Sequence, residues 1–390
     1  MTENLSVQTI ITNMCAADKI AWKKLLWKEK VIRHIMLCHT EEYGMSVEEC
    51  PDCKHRILHY GSCNDSSCPM CGTLRRFKWA LDRQDDLVDA EYNHMIFTVP
   101  SSLNELFLVD MKFMCSLLFK ASREATCRLA KDKKFLEAKK TGAISILHTW
   151  GQKMDLHPHV HMLFVAGGLD KDGNWVVPKK EGFLFPVKKL ASEYKELFLR
   201  ELEKHPSEEI LKKFPDLSGR IKELRDRDWN VQICPSTADP EHIIEYFARY
   251  ANRLAISNSR LVSYKDGKVT FKYKDNKDGG KWKELTLTDE EFLRRFCMHI
   301  LPPQFQKIRN YGFLSNVSRK KMIPLIRELI GMKRKRQSMC KRLLAYIEKM
   351  IGRKPRICPK CQHRMSLTIY RGFLPLRYEP GELTPLEKEP

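Results

Sequence analysis

The chain has 390 residues, 43% of them hydrophobic, which allows one large domain or two to three ordinary ones and excludes wholesale disorder. No run approaches the roughly 18 consecutive apolar residues that a membrane-spanning helix needs. Lys and Arg outnumber Asp and Glu by 69 to 49, and the net charge of +20 points to a polyanionic partner.

The N-terminal stretch MTENLSVQTIITNMCAADK has no basic start followed by an apolar core, so it does not read as a secretory signal, and a cytoplasmic setting is expected. Thiols stay reduced there, so clustered cysteines suggest metal ligation before disulfides. The chain has 14, five of them between Cys50 and Cys71.

In chain order, residues 1–45 read as a helical region, with Ile20, Leu25, Leu26, Val31, Ile32 and Ile35 at spacings that suit an apolar stripe. Residues 46–90 read as a zinc-binding module. Cys50-x2-Cys53 and Cys68-x2-Cys71 have the spacing of two knuckles around one tetrahedral four-thiolate zinc. Cys63, His55 or His59 could replace one of these ligands. Arg75, Arg76 and Lys78 follow on a helix expected over 74–90. They would let the module dock on DNA, and a purely structural zinc clip is the alternative.

Residues 91–280 read as a catalytic domain. HMIFTVP (94–100), AISILHTW (143–150), HVHMLFVAGG (159–168) and WNVQIC (229–234) are strand signals. The second and third, joined by GQKMDLHP, suggest an antiparallel hairpin. Helical patterns cover 103–137 and, with breaks at Pro206 and Pro215, about 188–224. Asp239 and Pro240 give cap and first-turn signals for a helix running to about Arg253. Residues 260–274 suggest a hairpin turning at Asp266-Gly267. Residues 281–350 read as a basic helical region containing KRKR at 333–336. Residues 351–390 form a tail with Cys358-x2-Cys361 and His363, half a metal site whose partners would come from Cys340 or a second chain. Cys15, Cys38, Cys115, Cys127 and Cys234 read as small core residues. No internal repeat is evident.

Two constellations bear on chemistry. On a strand, residues i and i+2 share a face, so His159 and His161 project side by side and suit one metal ion. His148 lies on the preceding strand and can come opposite them across the hairpin. His157, beside Pro158 at the turn, and Gln152 are alternatives for the third ligand. Three neutral imidazoles would leave open positions on the ion, as a catalytic site requires. Tyr246 and Tyr250, four apart on a helix, share a face. A tyrosine becomes a useful nucleophile where a metal polarises the target phosphate. Arg249 and Arg253 on the same helix could clamp phosphates.

Four segments carry a resemblance: SCNDSSCPMC (62–71), LHTWGQKMDLHPHVHMLF (147–164), EYFARYANRLAISNSRL (245–261) and FLRRFCMHILPPQFQKIRNYGFL (292–314). From about residue 30 to 320 the chain resembles the IS91-type transposases and their common-region relatives. The resemblance implies an α+β fold with an HUH-type central antiparallel sheet flanked by helices. It matches His159 and His161 to the histidine pair and Tyr246 and Tyr250 to the paired tyrosines. It also implies Mg²⁺ or Mn²⁺ in catalysis, and single-stranded DNA with hairpins at the element ends as partner. The reaction it implies is rolling-circle-like transposition through a 5′-phosphotyrosine link. The third histidine of HUH relaxases lies on the strand before the pair, in agreement with His148. Trp150 and Cys297 depart from the expected pattern, and Trp150 bears on substrate access. Two other readings are a replication initiator or relaxase with the same chemistry, and a zinc-dependent DNA-binding regulator without catalysis.

Overall fold

The structure, a computed structural model, describes residues 5–234, 247, 250–251, 253–332 and 339–370, leaving out the side chains at 72–76, 339–340, 350–351 and 368–370. Its strands in chain order are β1 (Met45–Glu49), β2 (Arg56–Tyr60), β3 (Tyr92–Thr98), β4 (Lys140–Trp150), β5 (Leu156–Leu169) and β6 (Trp175–Val176). They continue as β7 (Val231–Ile233), β8 (Leu261–Lys265), β9 (Lys268–Asp275), β10 (Lys281–Thr288), β11 (Ile308–Gly312) and β12 (Ser366–Tyr370). Among the described residues, no helix is long and apolar enough to cross a membrane.

The chain folds as two compact units, 82–255 with 301–335, and 1–81 with 256–300 and 336–390. The first is built on an antiparallel sheet in the order β11-β4-β5-β3-β7, with β6 paired to β5. This is the α+β arrangement of central antiparallel sheet and helices expected from the sequence. Strand alternation sorts β5 into two faces. Val160, Met162, Phe164 and Ala166 join Leu147, Met95 and Phe97 in one core with apolar residues of the helices Met111–Lys131 and Val187–Lys204. His159 and His161, in the opposite phase, face the other side. Asp110 separates a short helix, Asn104–Val109, from the long one. Its side chain accepts from the Phe113 backbone N–H, an N-cap that starts the second helix where the 103–137 pattern suggested one continuous run.

The second unit holds two three-stranded sheets, β12-β1-β2 and β10-β9-β8. The expected 260–274 hairpin is β8–β9. It turns at Asp266 and Gly267 with φ of 49° and 67°, the doubly left-handed turn that Asp-Gly favours.

Several expectations need correction. The boundary at 280 does not match the structure, because residues 256–280 pack in the unit that contains the cysteine-rich segment. The 281–350 region is not uniformly helical: it supplies β10, the helix Asp289–Met298, the edge strand β11 and the helix Arg319–Leu329. Pro302 and Pro303 stop helical continuation, and β11 is short and polar (Ile-Arg-Asn-Tyr-Gly), so it lacked an apolar strand signal. As an edge strand it needs only one neighbour, β4, pairing Ile308 with Ile146 and Tyr311 with Ala143. Within the 351–390 tail, Ser366–Tyr370 forms a strand that pairs with β1, which the sequence did not suggest. The cap residues Asp239 and Pro240, the KRKR stretch and residues 371–390 lie outside the described residues.

Candidate metal centre and cysteine clusters

The register of β4 against β5 builds the histidine site. His148 lies directly opposite His159, and Ile146 opposite His161. Directly paired and diagonal residues on one face of an antiparallel pair are within side-chain reach. One ring nitrogen from each of His148, His159 and His161 lies within 4.8 Å of the other two. The ring centroids are 5.3 Å apart for His148 and His159, 4.7 Å for His148 and His161, and 4.9 Å for His159 and His161. His157 lies on β5, not in the turn. It is exposed, its backbone carbonyl accepts from His159, and its ring is not part of the three-imidazole cluster.

Each ring has a second nitrogen engaged by a neighbour. His159 Nδ1 lies 2.7 Å from the His157 carbonyl, so that nitrogen carries the proton. His148 Nε2 donates in the same way to the Tyr250 carbonyl at 2.8 Å. His161 Nδ1 sits 2.9 Å from Nε2 of His94. These bonds engage one nitrogen of each ring and leave the other as a possible ligand atom. His94, on β3, is a residue that sequence reasoning missed. Its only signal was its position at the head of the HMIFTVP strand, pointing to the same face as His161 once β3 pairs with β5.

Burial holds these imidazoles neutral. His148 is 3% and His161 5% exposed. Burial, followed by the neighbouring rings, drives both well below the ordinary histidine range. His159 is lowered to about 4, first by burial and then by charge at His157 and Arg253. Burial lowers His94 to about 4. Neutral imidazoles with lone pairs converging on one point are the donor set of a divalent cation. Three of them leave positions for water and substrate.

Tyr250 brings its ring to the same place. Its centroid is 4.4 Å from that of His161 and 5.9 Å from that of His148. Trp150 stacks on His148 at 4.6 Å, so the unexpected tryptophan forms a wall of the site. Arg253, exposed, acts electrostatically on all three imidazoles. Lys307, brought in by the bond from Leu147 N–H to its carbonyl at 2.8 Å, acts on His148. Tyr246 and Arg249 lie outside the described residues, as do the side chains of Arg75 and Arg76. Lys78 is exposed on the helix Gly72–Gln84.

The cysteines do not group as the spacing suggested. Cys68 and Cys71 join Cys38 and Cys63, while Cys50 and Cys53 join Cys358 and Cys361. Cys38 is therefore no isolated core residue, Cys63 is no spare, and the C-terminal pair finds its partners in neither Cys340 nor a second chain. In the first group, Cys38 and Cys71 sulfurs are 3.4 Å apart and Cys63 and Cys71 3.6 Å. A zinc tetrahedron with bonds of about 2.3 Å has sulfur–sulfur edges of about 3.8 Å, while a disulfide measures about 2.05 Å. The thiols are free and spaced like ligands. Hydrogen bonds from neighbouring sulfurs hold both Cys71 and Cys38 below the ordinary thiol range. His34 Nδ1 meets Asp65 at 3.2 Å beside the same loop.

The comparisons agree with this anatomy. A family model described as "Transposase zinc-binding domain" matches residues 11–99, and one described as "Putative transposase" matches residues 142–321. The first match contains Cys38, Cys63, Cys68 and Cys71, and the second contains His148, His159, His161 and Tyr250. The chain is 36% identical over 354 residues to the "Putative transposase y4qJ" of Sinorhizobium fredii, covering 88% of this chain and 89% of that one. It is 27% identical to the transposase for insertion sequence element IS801 of Pseudomonas savastanoi pv. phaseolicola, covering 78% of this chain and 74% of that one. The chain belongs to the IS91-type transposases. Among solved structures it is similar to the conjugative relaxase TrwC in complex with oriT DNA, at 13% identity and a TM-score of 0.24, over 42% of this chain and 74% of that one.

Proposed function

We propose that this transposase cuts and rejoins single-stranded DNA by HUH-type chemistry, through a tyrosine–5′-phosphate link, in a rolling-circle-like transposition that takes hairpin-bearing element ends as substrate. The observation that carries this reading is the Tyr250 ring lying against His161 and His148 of a cluster of three neutral imidazoles on one hairpin. His148, His159 and His161 would hold Mg²⁺ or Mn²⁺. A divalent ion there would withdraw charge from the non-bridging oxygens of the scissile phosphate. Imidazole is a better donor for manganese than for the harder magnesium, so Mn²⁺ should support cleavage at lower concentration.

The chain's own residues do the rest. The phenol oxygen of Tyr250 or Tyr246 bonds to phosphorus, and its proton passes to solvent. The bond from phosphorus to the 3′ oxygen breaks, and that oxygen takes up a proton to leave as a hydroxyl. The phosphodiester energy is kept in the tyrosine link, so a second 3′ hydroxyl can reverse the step and reseal a strand. Arg253 and Arg249 would clamp flanking phosphates, and the +20 charge would hold the strand non-specifically. Two tyrosines one helical turn apart could hold two strand ends in succession. In the N-terminal module, Cys38, Cys63, Cys68 and Cys71 would hold a structural Zn²⁺, with Arg75, Arg76 and Lys78 turned to DNA.

Incubation with element-end single-stranded DNA and Mn²⁺, followed by denaturing electrophoresis, tests the reading. A protein–DNA band should form, and it should vanish in the Tyr246→Phe/Tyr250→Phe double variant. Absence of such a band on every element-end strand would instead mark a DNA-binding regulator without catalysis.

A further inference from the structure

We propose that Cys50, Cys53, Cys358 and Cys361 form a second four-thiolate Zn²⁺ site, in which the C-terminal segment completes the N-terminal module. The sequence carries the first part of the argument. Cys50-Pro51-Asp52-Cys53-Lys54-His55 and Cys358-Pro359-Lys360-Cys361-Gln362-His363 are the same hexapeptide pattern, C-P-x-C-x-H, written twice. This short repeat is hidden by the distance between its copies.

The two copies fold alike. In the first, Cys50 N–H donates to the His55 carbonyl at 2.9 Å, and Lys54 N–H to the Cys50 carbonyl at 3.0 Å. In the second, Cys358 N–H donates to the His363 carbonyl at 2.8 Å, and Gln362 N–H to the Cys358 carbonyl at 3.0 Å. The residue after the second cysteine is left-handed in both, Lys54 at φ 56° and Gln362 at φ 63°. These are two matching knuckles, and each turns its pair of sulfurs inward. Lys360 N–H also points at Cys358 Sγ from 3.4 Å, a backbone donor suited to a thiolate.

The knuckles face each other. Cys50 and Cys361 sulfurs are 3.3 Å apart, Cys53 and Cys358 3.5 Å, and Cys53 and Cys361 3.4 Å. All four lie within 4.8 Å of one another. Four sulfurs at this spacing match a ZnS₄ tetrahedron, and no pair is at bonding distance. The surroundings are too sparse to assemble the site by packing alone: its buried core is Cys50, Cys358 and Met365, with Ile57 alongside. Around it the pairing β12-β1-β2, an Arg353–Glu48 ion pair at 2.8 Å and a His363–Asp52 contact at 2.8 Å link the same two segments. A core of this size needs a metal to be stable.

The ion follows from the ligands, since four thiolates in a tetrahedron select zinc over the harder Mg²⁺ or Mn²⁺. The inference is independent of the catalytic reading, because it concerns neither the histidines nor DNA.

Zinc content of the purified full-length chain tests it, read by elemental analysis in a His159→Ala/His161→Ala background so that only thiolate sites count. Two zinc ions per chain are expected. Cys358→Ser/Cys361→Ser should lower this to one, Cys50→Ser/Cys53→Ser should also give one, and the four substitutions together should still give one. The zinc retained at Cys38, Cys63, Cys68 and Cys71 reports that the module still folds. With cobalt in place of zinc, the thiolate charge-transfer band should fall by half in the same three variants. Unchanged zinc in Cys358→Ser/Cys361→Ser would overturn the proposal. So would a quadruple variant that loses more metal than either double variant, since two pairs serving one ion cannot be lost twice.

Discussion

The histidine site and the cysteine clusters reach similar ligand convergence by opposite routes. The three imidazoles sit on one hairpin, where the β4–β5 register sets His148 against His159 and a buried sheet holds both. The thiols are gathered from segments with little core of their own, and Cys50 meets Cys361 across 311 residues of chain. In the first case the scaffold stands on its own sheet, and the ion proposed there would serve chemistry. In the second, the ion would be much of the scaffold. Metal removal should therefore do different things in the two places: abolish activity at the hairpin, and abolish structure at the cysteines.

The largest expected effect tests the hairpin half of that contrast. His159→Ala/His161→Ala should bring DNA cleavage to background while the thermal unfolding midpoint of the chain stays near wild type. A comparable fall in stability would mean the imidazoles are structural and would erase the distinction. Next comes the thiol half. Cys68→Ser/Cys71→Ser should lose one zinc and unfold the N-terminal module, because structural zinc in small domains contributes on the order of 10 kcal/mol. Proteolysis of the 11–99 region should accelerate sharply, and unchanged resistance would contradict a scaffolding role.

Smaller effects sharpen the comparison further. His94→Ala removes the ring that meets His161 Nδ1 at 2.9 Å, and should weaken Mn²⁺ binding by about 10–100-fold without unfolding the sheet. Titration calorimetry reads this directly, and wild-type affinity would show that His94 does not position the ligand. Gly312→Ala probes the edge of the same sheet. Gly312 has φ +61°, and a Cβ there would sit 1.7 Å from the Thr141 carbonyl oxygen. The variant should cost about 1–3 kcal/mol in denaturant unfolding, with metal affinity retained. It gives the glycine of the 292–314 segment a physical role that sequence alone did not supply.

What was legible in the sequence follows the same division. The histidine triad could be read because its information is local: an i, i+2 pair, a preceding strand and a turn short enough to fix the pairing. The Asp266-Gly267 turn was readable for the same reason. His94 was not, because its role depends on the β3–β5 register, which no short-range pattern specifies. The cysteine pairs were read as ligands, but the structure groups them differently. Three knuckles share the C-P-x-C form, and spacing cannot say which two meet; Cys38 has no such pattern around it at all. Edge strand β11 went unread because a short polar strand with one neighbour carries no apolar alternation. Tyr246 and Arg249 keep their sequence-based assignments.

The proposed chemistry depends most on Tyr246 or Tyr250 attacking DNA beside the imidazoles. Peptide mapping by mass spectrometry of the covalent adduct formed on single-stranded DNA tests that claim most directly. The predicted result is a nucleotide on a peptide containing Tyr246 or Tyr250, with no adduct formed in His159→Ala/His161→Ala. A nucleotide carried by any other residue, or an adduct that persists without the histidine pair, would contradict it.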